Sequence, residues 1–383
     1  MNGDLVPLIM GGLVLLCSLI SLRLGISVAI IEILLGTVAG NLGLQTEAWM
    51  IYIAKFGGIV LTYLAGTEID TRLMKEKFKE SFLIGSLSFL APFIGTFLYC
   101  YLVAEWSYHA ALIAGTALST TSLAVVYSVL VESGLNKTEI GKLLMASTFV
   151  TDMGTALALS LLFAKFTIYT LIFYGVCFAV IYFVDQFSVY ILLNRKYINK
   201  VIEPEIKYIF FVLIIFIYFA EIGDAHAVLP AFVLGLLMSK HFKERRRTRV
   251  LGNRLRTVAY AFITPIFFIT GGMKVSLALV YGALGVFLIL FAIKIIMKFI
   301  GVYFLAKKYI PNGTMYTTLL MSTGLTFGTI SSLFGLQAGI IDQTQYSLLV
   351  GVVVASAVIP TFIAQKWFLP VEEEDIMDYD TGS

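Results

Sequence analysis

Long apolar runs follow one another along nearly the whole chain, separated by short polar stretches. A hydrocarbon core about 30 Å thick needs about 20 apolar helical residues to cross it. On that pattern the sequence predicts an all-α polytopic membrane protein with about 13 transmembrane helices. They fall at residues 6–22, 26–42, 51–67, 82–103, 109–131, 142–163, 167–193, 208–220, 227–238, 258–270, 277–305, 315–336 and 346–368. The longest polar stretch, 239–257, is too short for a soluble domain. Residues 1–370 therefore read as one membrane domain, followed by an acidic tail over 371–383.

Two of these helices carry polar interruptions. The fifth contains Gly115 and then Ser119, Thr120, Thr121 and Ser122. The twelfth contains Ser322, Thr323, Gly324, Thr326, Gly328, Thr329, Ser331 and Ser332. Glycine with clustered hydroxyls weakens a helix and offers partners to the backbone groups that are freed. If 1–166 and 208–370 are two halves joined by a linker helix in 167–207, both interruptions lie in the fifth helix of their half. An odd linker between halves of six helices makes the halves inverted repeats. Interrupted segments in matching places point to a transporter binding site. The same small residues also serve close helix packing, and it is their register that favours the site.

The sixth helix adds a charge. Asp152 sits mid-run between Thr148 and Thr155, which share its helical face, with Thr151 beside it. An acid at that depth costs roughly 2.5–3.5 kcal/mol to insert and is a functional-site candidate by default. A single carboxylate can hold a small cation or a proton but not both, and that competition is the minimal chemistry of antiport. Lys294 and Lys298 lie four residues apart on the eleventh helix. Lys294 is expected to snorkel toward the membrane surface, and Lys298 to be the structured lysine, with snorkelling its alternative. Glu32, Glu68, Asp70, Asp185, Asp224, His109, His226 and His241 are weaker candidates. None has metal-ligand spacing, and no HExxH, GxSxG or P-loop pattern occurs, so neither an enzyme nor a cofactor is expected.

Composition agrees with the pattern: 59% of the 383 residues are hydrophobic and only 13% are charged, about half the share of a soluble domain. Arginine and lysine crowd alternate loops, at Arg72 to Lys79, Arg195 to Lys200, Lys243 to Arg256 and Lys307–Lys308. The positive-inside rule then places the N-terminus outside and the C-terminus in the cytoplasm. The basic run after Lys243 serves as a topology anchor or touches anionic lipid. Cys17, Cys100 and Cys177 are scattered through apolar segments and read as packing residues. The first helix, preceded by Asp4 and no basic region, reads as retained.

Several stretches together resemble one family. These are Leu64-Ala-Gly-Thr-Glu68-Ile-Asp70, Ala117-Leu-Ser119-Thr120-Thr121-Ser122, Thr151-Asp152, Pro230-Ala-Phe-Val-Leu-Gly, Pro265-Ile-Phe-Phe and Lys298-Phe-Ile-Gly301. In that order they resemble the monovalent cation:proton antiporter superfamily, in the branch of Kef-type potassium efflux and Nap-type sodium/proton proteins. The resemblance implies an inverted-repeat fold with two crossed broken helices, a mobile core of helices four to six and eleven to thirteen, a homodimer and elevator-type alternating access. It implies that Asp152 binds cation and proton and that Thr121 lies at the unwound crossover; Thr151, Thr148, Ser119 and Thr120 join the expected ion site on the reading of the residues themselves. Lys298 would support the site, and Thr326, Gly328 and Thr329 would come from the second broken helix. The only metal expected is a monovalent cation at Asp152.

Two departures bear on this. Many relatives have Asp-Asp or Asn-Asp where this chain has Thr151-Asp152, so one-for-one, electroneutral exchange is expected. An Arg-Gly-Glu type motif is replaced by Ser322-Thr-Gly-Leu-Thr-Phe-Gly. The partners expected are Na+ or K+ and H+, membrane lipid and a second copy, with no nucleic acid, in a prokaryotic inner (plasma) membrane. The competing readings are an organic-anion symporter of the bile-acid type and a passive cation channel.

Overall fold

The computed structural model describes residues 5–24, 27–68, 77–163, 168–193, 203–223, 225–244 and 246–370. Among the described residues every regular element is helical. In chain order the helices are α1 (Leu5–Leu24), α2 (Val28–Asn41), α3 (Ala48–Glu68), α4 (Phe78–Leu102), α5 (Tyr108–Ser119), α6 (Leu123–Glu132), α7 (Glu139–Leu162), α8 (Ile168–Leu193) and α9 (Pro204–Ile222). They continue as α10 (Val228–Glu244), α11 (Arg246–Val258), α12 (Thr264–Met273), α13 (Leu277–Gly282), α14 (Leu284–Tyr309), α15 (Thr314–Met321), α16 (Thr326–Gln337) and α17 (Gln343–Trp367). Several starts are written in the sequence. Ser107 accepts from Ala110 N, Thr138 from Gly141 N, and Asp342 with Gln345 forms a full capping box, so donors that the first turn leaves unpaired are satisfied.

Each of the thirteen expected spans has its helix. Eight stretches among the described residues are long and apolar enough to cross a membrane by length and composition. Large apolar side chains stand exposed on α1 (Leu8, Leu22), α8 (Phe178) and α14 (Phe304). Apolar side chains of this size, exposed on several helices, suit a bilayer.

Residues 239–244 and 246–257 are helical where the hydropathy pattern shows only a polar stretch. α10 runs to Glu244, and α11 carries the next stretch into a π-turn (Ala259–Ile263) continuous with α12. Lysine, arginine and glutamate are good helix formers, and low hydropathy does not end a helix. Arg254 pairs with Glu203 at 2.8 Å, which ties α11 to the start of α9. The expected eleventh span is interrupted too, because α13 stops at Gly282 before α14 begins.

Glycines set the closest helix contacts. A methyl group at Gly36 would stand 2.3 Å from Ile269 O, and one at Gly272 2.2 Å from Ile33 O, so α2 and α12 touch backbone to backbone. Gly66 and Gly235 do the same for α3 and α10. Small residues permit this approach and gain dispersion energy that lipid tails do not supply. Cys17, Cys100 and Cys177 are free and buried, as packing residues would be.

The short loop between α12 and α13 is held from two sides. Asn41 at the end of α2 donates to Val275 O at 2.8 Å and accepts from Leu277 N at 3.1 Å. From α17, Ser347 Oγ accepts from Ser276 N at 2.9 Å, Gln343 donates to Lys274 O, and buried Tyr346 donates to Gly271 O at 2.7 Å. In the middle of the molecule Phe232 of α10 stacks on Phe149 of α7 and meets Phe327 of α16 edge-on.

Candidate functional site

Both interruptions read from the sequence are real breaks. α5 stops at Ser119, Thr120 is extended (φ −68°, ψ 155°), and α6 starts at Leu123. α15 stops at Met321, and α16 starts at Thr326. The breaks meet: Thr121 Oγ1 donates to Met321 O at 2.9 Å, and Ser122 N donates to Thr323 O at 3.2 Å. Each break thus supplies hydrogen-bond partners that the other has lost, as non-helical backbone at membrane depth requires. Ser119, Thr120, Thr121, Ser122, Ser322 and Thr323 are all buried there.

α7 runs past this crossing and brings Asp152, 2% exposed. Its threonines are fully buried, and two of them bond along their own helix. Thr151 donates to Thr148 O at 2.6 Å and Thr155 to Thr151 O at 2.9 Å. Thr148 turns outward to Met321 Sδ at 3.6 Å and so touches the end of α15. Hydroxyls that have placed their protons on carbonyls or sulfur keep oxygen lone pairs, the ligands a hard cation prefers.

Lys298 completes the centre. It is fully buried, and its Nζ donates to Ser88 Oγ and Thr121 Oγ1, both at 2.9 Å. Thr121 is therefore the hinge of the arrangement, accepting from Lys298 and donating to Met321 O. The charges of Asp152 and Lys294 both act on Lys298. The sequence expectation that Lys298 is structured agrees with this geometry. Snorkelling of Lys294 does not: it is 0% exposed, one turn from Lys298 on the same face of α14. α14 is too deeply packed against α4 and α15 on that face to give Lys294 a path to the surface.

The remaining sequence candidates divide. Ser119 and Thr120 lie at the break with hydroxyls turned back to Thr116 O (2.9 Å) and Ala117 O (3.4 Å). Thr326 opens α16 and is half-buried. A methyl group at Gly328 would stand 2.7 Å from Val353 and 3.0 Å from Ala117 O, which is a packing contact between α16, α17 and α5. Thr329 is fully buried and lies toward Gly271 of α12. Glu32 is buried on α2. Asp70 and Asp224 lie outside the described residues, as do the side chains of Glu68, Asp185 and His241.

Ser88 and Met321 were missed by sequence reasoning. Ser88 had a usable signal: Ser81, Gly85, Ser88, Pro92 and Thr96 recur at helical spacing in an otherwise apolar run, and that stripe is the buried face of α4. Met321 had none, since its role comes from a backbone carbonyl and a sulfur at the end of a broken helix.

The chain as a whole is similar to known transporters. The family model described as "Sodium/hydrogen exchanger, transmembrane" matches residues 11–368. A protein described as "Probable Na(+)/H(+) antiporter 3" from Methanocaldococcus jannaschii is 26% identical over 363 residues, covering 90% of each chain. The "Na(+)/H(+) antiporter" of Enterococcus hirae is 27% identical over 372 residues, covering 91% of this chain and 93% of its own. The "Na(+)/H(+)-K(+) antiporter GerN" of Bacillus cereus is 23% identical, covering 89% of each. Among solved structures, the sodium proton antiporter MjNhaP1 from M. jannaschii at pH 8 shares the fold, with a TM-score of 0.70, 14% identity, and coverage of 97% of this chain and 100% of that one. The match of the family model across almost the full length, over a fold with two broken helices that meet, identifies this chain as a member of the sodium/hydrogen exchanger family.

Proposed function

We propose that the protein is a secondary antiporter that exchanges a monovalent cation, Na+ or K+, for H+. The observation that carries this is the crossing of two broken helices beside one buried carboxylate, Asp152, with Lys298 locked to the crossing through Thr121. Asp152 binds the cation or the proton in turn. Thr148 and Thr151, with Ser119, Thr120 and Thr121 at the break, supply hydroxyl and carbonyl oxygens. Lys298 holds the crossing together electrostatically. Thr326, Gly328 and Thr329 belong to the second broken helix and shape its packing. The family membership supports sodium/proton exchange, and the similarity to GerN, described as a Na(+)/H(+)-K(+) antiporter, supports keeping potassium in the reading.

Transport proceeds by elevator-type alternating access and is electroneutral, one cation for one proton, because the site offers a single carboxylate. The inverted halves are 1–166 and 208–370, joined through 167–207. Their support is the packing pattern: α2 on α12 and α3 on α10 are the pairs that a two-fold exchange of the halves interconverts. The protein works as a homodimer in the inner (plasma) membrane, among lipid, with its N-terminus outside and its C-terminus inside.

The test is proton flux in proteoliposomes with Na+, K+ and Li+ in turn. Wild type exchanges at least one of them, and Asp152→Asn, correctly folded, exchanges none. Undiminished exchange by that variant would remove Asp152 from the site. Uptake driven by membrane potential alone would overturn the electroneutral stoichiometry.

A further inference from the structure

Lys294 has no part in the chemistry above. Its Nζ is buried and has no hydrogen-bond partner among the described residues. Its place is nevertheless well defined. A methyl group at Gly324 would stand 2.4 Å from Lys294 Nζ and 3.0 Å from both the carbonyl oxygen and Oγ1 of Thr120. The amine therefore lies against Gly324 of the second break, which in turn packs on Thr120 of the first. Lys298, one turn away, is already occupied by Ser88 and Thr121.

The buried charged residues among those described are Glu32, Asp152, Glu205, Lys294 and Lys298. Glu32 and Glu205 stand on α2 and α9. At the crossing, α4 brings Ser88, the first break brings Thr120 and Thr121, the second brings Gly324, and α17 brings Ser356. The charges there are Asp152 on α7 and the two lysines on α14.

We infer that Lys294 is a positioning residue that sets how tightly the exchange site holds its cation, an inference that rests on the exchange reading above. An ammonium tethered there acts on Lys298, on which the charge of Asp152 also acts, so it opposes a second positive charge arriving at that centre. Low local dielectric makes that repulsion larger than at a surface. Weakened binding is useful to a carrier, because an ion held too firmly is not released. Lys298 carries the same sign, but its ammonium is bonded to two hydroxyls and its removal also unties Thr121. Lys294 adds charge without holding the crossing by a hydrogen bond.

The full chain is purified and reconstituted as wild type, Lys294→Met, Lys294→Gln and Lys294→Arg. Na+-driven proton flux is measured at one fixed pH, and thermal unfolding in detergent is followed against Na+ concentration. Removing one neighbouring charge is expected to lower the apparent KM for Na+ by about tenfold in the two neutral variants. Maximal turnover falls with it. The Na+ concentration that gives half-maximal thermal stabilisation falls by the same factor, a readout independent of turnover. The arginine variant keeps both values within about twofold of wild type, because it retains the charge.

A residue that only supports the fold would change stability or turnover and leave KM and the thermal-shift midpoint where they are, and that result overturns the inference. Failure of both neutral variants to fold assigns Lys294 to the fold and overturns it as well. A wild-type protein that exchanges no monovalent cation for protons overturns the parent reading, and this inference with it. Intact wild-type exchange without the KM change overturns this inference alone.

Discussion

Thr121 is the residue on which the crossing depends most directly. It accepts from Lys298 and donates to Met321 O, so one hydroxyl joins α14, the first break and the second. Thr121→Val keeps the shape and removes both bonds, leaving a buried ammonium and a buried carbonyl short of a partner. Such losses cost about 1–3 kcal/mol each. The variant is expected to melt at a lower temperature in detergent and to lose most exchange, with Thr121→Ser recovering both. Ser88→Ala removes a single acceptor from Lys298 and is expected to lower the melting temperature by less than Thr121→Val does. Asp152 differs from both: Asp152→Asn is expected to leave the melting temperature close to wild type while exchange disappears. Melting curves run beside flux assays separate these outcomes.

The two lysines show what sequence could and could not reveal at this scale. Depth in an apolar run marked both as costly. It did not say which one had room to reach the surface, because that depends on the packing of α4 and α15 against one face of α14. Lys298 could be singled out through its Lys-Phe-Ile-Gly setting, whereas Lys294 is held in place by Gly324, 30 residues further along the chain.

Among the helices, the breaks were legible because glycine and clustered hydroxyls interrupt an apolar run in a way that no lipid-facing helix tolerates. Both appeared within a few residues of where the sequence placed them. The helical nature of the basic stretch after α10 was not legible from hydropathy, which reports partition into lipid and is silent on helix formation in water. The pairing of α2 with α12 and α3 with α10 was also hidden, since a glycine names a possible close approach without naming its partner. Gly36→Leu tests such a pair. Its side chain has no space beside Ile269 O, so α2 and α12 must part, and overpacking of this kind costs about 1–3 kcal/mol. A drop in melting temperature is expected. Gly11→Leu on α1, where nothing lies within 4 Å, is the control and is expected to melt like wild type.

For the whole molecule, elevator-type access requires a core that slides against a scaffold, so bonds between the two must break in each cycle. Tyr346 on α17 and Gly271 on α12 lie on opposite sides of that proposed boundary, joined by one buried hydrogen bond. Tyr346→Phe deletes that bond alone, a change of about 1 kcal/mol that moves a two-state population by about fivefold. The shift is expected to be away from the arrangement seen here. A cysteine placed at Thr326, half-buried at the start of α16, is expected to react faster with a thiol reagent in the Tyr346→Phe background, from the membrane side on which the α12–α13 loop lies. An unchanged labelling rate would show that this bond does not hold the core in place.

That labelling experiment benefits from the native thiols. Cys17 and Cys100 are 0% exposed and Cys177 is 3% exposed, each enclosed by its neighbours. A polar maleimide therefore finds nothing to modify on the native protein, and a newly introduced cysteine is the single reporter. Motion in this transporter can be followed, site by site, without first stripping out its own cysteines and risking the packing they maintain.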